Sequence, residues 1–77
     1  MTDNQRELDQ LQAAYRAAVD EWVAAIREEE ALASGAHSVA ELDQWEAAGF
    51  REDKKRREVI CKKRLYEDAL RREFYGF

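Results

Sequence analysis

Apolar residues recur along the first part of the chain on alternating steps of three and four. Leu8, Leu11, Tyr15, Ala18, Trp22, Ala25 and Leu32 fall on the a and d positions of a heptad, broken only at Glu29. Val19, Ile26 and Ala33 widen the seam along one side, giving the broad face of a bundle helix rather than the stripe of a simple two-stranded coil. Large and small residues alternate on it. Tyr15 and Trp22 stand against Ala18 and Ala25, so a neighbouring backbone can come close while the rings fill the gaps above and below. The aromatic side chains are therefore read as packing groups rather than as a cofactor-stacking set. The spacing predicts a helix over about 4–33, about 43 Å long at the α-helical rise. Thr2 or Asn4 would cap it, each followed three residues later by Gln5 or Glu7 in capping-box register.

The pattern stops at Ser34-Gly35-Ala36-His37-Ser38. Ser38 with Glu41 is a capping box that opens a second helix, and Gly35 is placed where a left-handed residue would close the first. Val39, Leu42, Trp45 and Ala48 begin the second apolar series. After a wholly charged stretch from Arg51 to Glu58, it resumes through Val59, Ile60, Tyr66, Ala69, Leu70, Phe74 and Phe77, with Tyr75 beside it. Within and after that stretch, Glu52/Arg56, Asp53/Arg57, Glu58/Lys62, Glu67/Arg71 and Asp68/Arg72 stand four apart with the acid first, each pair worth about 0.2–0.5 kcal/mol to a helix. Gly49 costs about 1 kcal/mol in mid-helix relative to alanine. A continuous helix over about 39–75 is favoured here over a break that would give three helices.

No alternating β-branched run or hairpin dipeptide competes with this reading. The fold class is all-α: one domain, residues 1–77, forming a long antiparallel helical hairpin with its turn at 34–38, expected to dimerise into a four-helix bundle. With residue 33 set beside residue 39, facing residues have numbers summing to about 72. Gly49 and Phe50 would then lie opposite Val23 and Trp22, and residues beyond about 67 would overhang the start of the first helix. The layout is similar in outline to Rop-type bacterial helical hairpins, with no residue motif in common.

Charge sharpens the picture. Residues 1–50 carry eleven acids against three bases, whereas residues 51–77 carry ten bases against six acids. Folding the second run onto the first lets the two fields offset each other, and the same complementarity favours association between chains. The Glu28-Glu29-Glu30 triplet opposes the dipole of its own helix; it either faces the basic second helix or marks a surface for a cationic partner, although most such runs are simply solvated. Cys61, the sole cysteine, is expected as a small, partly buried apolar residue; one cysteine allows no internal disulfide and no thiolate cluster. The N-terminus lacks a signal-peptide layout and no apolar run reaches membrane-spanning length, so the expected location is cytoplasmic with no membrane partner.

Chemistry is thin. The single histidine, His37, falls in the turn. There is no Glu-x-x-His pair, zinc-ligand spacing or glycine-rich phosphate loop, so no catalytic residue, metal or cofactor is assigned. The expectation is a non-catalytic homo-oligomeric module that partners itself and possesses a surface for another protein. Its candidate interface is Tyr15, Trp22, Trp45, Leu70, Phe74, Tyr75 and Phe77. The alternative is a Rop-like nucleic-acid-binding dimer gripping phosphates through Arg51, Lys54, Lys55, Lys62 and Lys63.

Overall fold

The computed structural model describes residues 3–35 and 37–76 as two helices, α1 (Asp3–Ser34) and α2 (Val39–Tyr75), packed against each other as a hairpin with no strand among the described residues. The long dimension of the molecule, 56 Å, is the length of α2 itself. Helix α2 runs unbroken through Gly49.

The helix ends show where local signals worked and where they did not. Ser38 is the N-cap of α2, with extended backbone, and its Oγ accepts a hydrogen bond from the Glu41 N–H at 3.2 Å. The return arm of the box is displaced by one residue: Glu41 Oε2 accepts from the N–H of His37 at 3.0 Å. Gly35 does not take the left-handed conformation expected of it. Its N–H donates instead to the Leu32 carbonyl at 3.2 Å, a tightened last turn that satisfies an otherwise orphaned acceptor without a positive φ. The left-handed glycine is Gly76 (φ 76°), which closes α2 by donating its N–H to the Arg72 carbonyl at 3.0 Å. Asn4 lies inside α1 rather than at its cap, and Thr2, the other candidate cap, lies outside the described residues.

The fully buried apolar positions are small: Ala18, Ala25, Ala48, Val59 and Ala69. Around them Leu8, Leu11, Tyr15, Trp22, Leu32, Tyr66 and Leu70 are half-buried. The heptad seam read in α1 is thus the seam used, with alanines at its centre and rings at its margins. The seam of α2 is less apolar than its partner. Glu52, Lys55 and Glu58, from the wholly charged stretch, are half-buried between its apolar ends. Cys61 is exposed, contrary to expectation, because it stands two residues from Val59 and so points away from the seam.

The pairing register differs from the expected one by about a helical turn. Cross-helix contacts join Trp22 to Glu52, Glu21 to Lys55, Glu28 to Arg51 and Glu7 to Arg72, pairs whose numbers sum to 74–79 rather than 72. The first turn of α2 therefore projects beyond the end of α1, which leaves Val39 three-quarters exposed. At the far end the overhang shrinks accordingly. Ala69 is buried, Leu70 half-buried, and Arg72 reaches Glu7 at 3.7 Å. The expectation that everything beyond residue 67 lacks a partner in its own hairpin is wrong for these residues and holds for Phe74, which is 71% exposed.

Candidate interaction surface

The two flanks of the hairpin are built differently. On α1, Glu7, Ala14, Glu21 and Glu28 repeat every seven residues and so form one column along the helix; on α2, Arg51, Glu58, Leu65 and Arg72 do the same. Cross-helix ion pairs connect this flank along its length: Glu28–Arg51 at 2.7 Å, Glu21–Lys55 at 3.5 Å and Glu7–Arg72 at 3.7 Å. Five of the six partners are about half exposed and Lys55 about one-third, so every pair is individually modest. The acid-first spacing along α2 delivers less than its count suggests. Asp53–Arg57 forms at 3.5 Å, but Arg56 turns to Asp53, Arg71 to Asp68 and Arg72 across to Glu7.

The opposite flank carries the columns Val19–Ile26–Ala33 on α1 and Leu42–Gly49–Arg56–Lys63–Leu70 on α2, flanked in turn by Ile60 and Phe74. Val23, Ile26, Leu42, Ile60 and Phe74 are all exposed there. The Trp22 indole lies at the inner margin of this flank, half-buried, its Nε1–H donating to Glu52 Oε2 at 3.3 Å. Gly49 does not make room for that indole, as the expected register had it. A Cβ at Gly49 would stand 3.3 Å from the Glu29 carboxylate, so the acidic triplet does reach the second helix, at Gly49 and at Arg51.

Asp53 sits between two bases. The hydrogen bond from Arg56 (2.5 Å), with the charges of Arg56 and Arg57, holds its carboxyl below the ordinary value against some desolvation; the same contact raises Arg56. Both groups are at the surface, and the pair fixes side chains rather than preparing a proton transfer. Among the described residues no group of three or more His, Cys, Asp or Glu side chains is placed to hold a metal ion.

No known family model, curated protein or solved structure matches this chain.

The candidate interface residues are therefore placed by geometry alone. Tyr15 and Trp22 are half-buried within the hairpin, Leu70 likewise, and Trp45 is just over one-third exposed near the turn. Phe74 and Tyr75 project at the far tip, and Phe77 lies outside the described residues. They do not gather into one patch. Exposed residues that the sequence reading left out of the interface, Val23, Ile26 and Ile60, extend the apolar flank instead; the widening of the seam by Val19 and Ile26 was the signal for it. Of the candidate phosphate-gripping residues, Arg51 and Lys55 are engaged by Glu28 and Glu21, while Lys54, Lys62 and Lys63 are distributed around α2 rather than on one face. No helix of the described residues is long and apolar enough to cross a membrane.

Proposed function

We propose that this chain is a small non-catalytic helical module that works by self-association, burying its apolar flank between copies and presenting its charged flank to another protein. The observation that carries the reading is an excess of surface. The chain exposes 6017 Å², against about 4,850 Å² for a compact monomer of this mass. The difference is comparable to the roughly 800 Å² that each partner loses in a standard interface. Its quality matters as much as its size: among the described residues the buried core holds four alanines and a valine, while ten large apolar side chains stay exposed. A two-helix unit with so narrow a core is a weak candidate for independent stability.

Sedimentation equilibrium from low to high micromolar concentration tests this. A reversible dimer whose helicity and melting temperature rise with concentration supports it; a cooperatively folded monomer throughout the range excludes it. Nucleic-acid binding has less support, since two of its five basic residues are paired to acids within the hairpin. A gel shift at two salt concentrations separates the readings, because a phosphate-gripping surface retards nucleic acid at low salt and releases it at high.

A further inference from the structure

The apolar flank carries charges as well as side chains to bury, and their distribution selects a partner and an orientation. Towards the turn the flank and its border hold Glu29, Glu30 and Glu46; towards the chain ends they hold Arg16, Lys63 and Arg64. Among the described residues none of these six has an ion-pair partner within 4.0 Å, in contrast to the acids and bases of the bridged flank. Asp9 and Glu67 also stand in the second half and the Asp53–Arg56 pair near the middle, so the turn half is net acidic and the chain-end half net basic, with the apolar residues Val19, Trp22, Ile26 and Ile60 between them. Val19 stands at the middle of α1.

We infer that this flank docks on the same flank of a second copy with the two hairpins antiparallel, the turn of each lying against the chain ends of the other. The inference rests on the self-association reading and adds the surface and its polarity. A surface whose middle holds apolar residues beside an already compensated ion pair, and whose two ends bear opposite net charge, is complementary to itself after a two-fold rotation across its length. Turning both hairpins the same way would set Glu29, Glu30 and Glu46 against their own copies, where like charges repel. The other flank offers no such surface, because its charges already engage one another across the helices.

The test uses the full chain carrying Cys61→Ser and Ala33→Cys, with a nitroxide on the new thiol and pulsed dipolar spectroscopy run beside sedimentation. Residue 33 lies two heptads from Val19, so an antiparallel dimer puts the two labels about 40 Å apart, whereas a parallel one brings them within about 20 Å. A dimer with the long distance bears the inference out. A dimer with the short distance overturns the orientation and leaves self-association standing; a monomer overturns both. Two unlabelled variants locate the flank. Ile26→Gln should raise the dimer dissociation constant at least about tenfold with helicity retained, while Leu65→Gln, somewhat more exposed but on the bridged flank, should leave it within about twofold. The reverse ranking would place the interface on the wrong side of the molecule.

Discussion

The two flanks share the same pair of helices and the same alanine seam, yet one is closed by ions and the other left open. On the closed flank Glu7, Glu21 and Glu28 of α1 share one column, Arg51 and Arg72 of α2 share another and Lys55 reaches out from the seam beside it, so that three pairs span the gap at 2.7–3.7 Å. On the open flank the columns offer Val19 and Ile26 to Arg56, Lys63 and a glycine, which cannot pack on one another. A column shift of one residue in either helix would have scrambled both. The contrast teaches that a hairpin this narrow settles which side faces out by electrostatics as much as by burial.

Both flanks depend on the closeness of the helices, so the largest effect should come from forcing them apart. Ala48, 1% exposed at the seam, has no room for a larger side chain. Ala48→Leu should destabilise the hairpin by about 1–3 kcal/mol in urea unfolding. An unchanged midpoint would mean that the seam is looser than its alanines imply. Gly49→Ala acts on the open flank alone. The new methyl meets only the end of the flexible Glu29 side chain, so the helix-propensity gain should dominate and raise stability by about 0.5–1 kcal/mol. Loss of stability would show that the Glu29 carboxylate is held firmly where it lies.

On the closed flank a single bridge should count for little. Glu28→Gln, which removes the shortest of the three ion pairs, should cost less than about 0.5 kcal/mol, and less still in high salt. A cost above about 1 kcal/mol would mean the three bridges act as a coupled network. The smallest effect concerns Asp53. Its carboxyl is held below its ordinary value, so its contribution is present above the unfolded-state value and lost as pH falls through the folded one. Asp53→Asn should therefore lower helicity slightly at neutral pH and leave the acid end unchanged, flattening the acid limb of a helicity titration.

Particular residues show how far reading the chain could go. The α1 seam, Leu8 to Leu32, and the Ser38–Glu41 cap were legible because both are local, set by the helical repeat and by a side chain three residues from a free N–H. The register was not. The tightest return at the turn gives one alignment, whereas the Glu28–Arg51 and Glu7–Arg72 bridges and the Trp22–Glu52 hydrogen bond align the helices about a turn further along. That displacement moved the unburied apolar residues from one long overhang to both ends and one flank, so Leu70 is half-buried in its own hairpin and Ile26 and Ile60 stand among the exposed residues of the flank. Gly35 misled for a related reason: a tightened turn can close a helix as well as a left-handed residue can.

Taken alone, the order of amino acids determined that there would be two long helices, where the chain would reverse, and which line of α1 would face its partner. These follow from periodicity and capping, which act over a few residues. Which residue of α2 stands opposite which of α1, and hence which flank is sealed and which is left for another surface, was decided only when the two helices met. Ion pairs, an indole hydrogen bond and the depth of an alanine seam act across the chain, and no local pattern contains their sum.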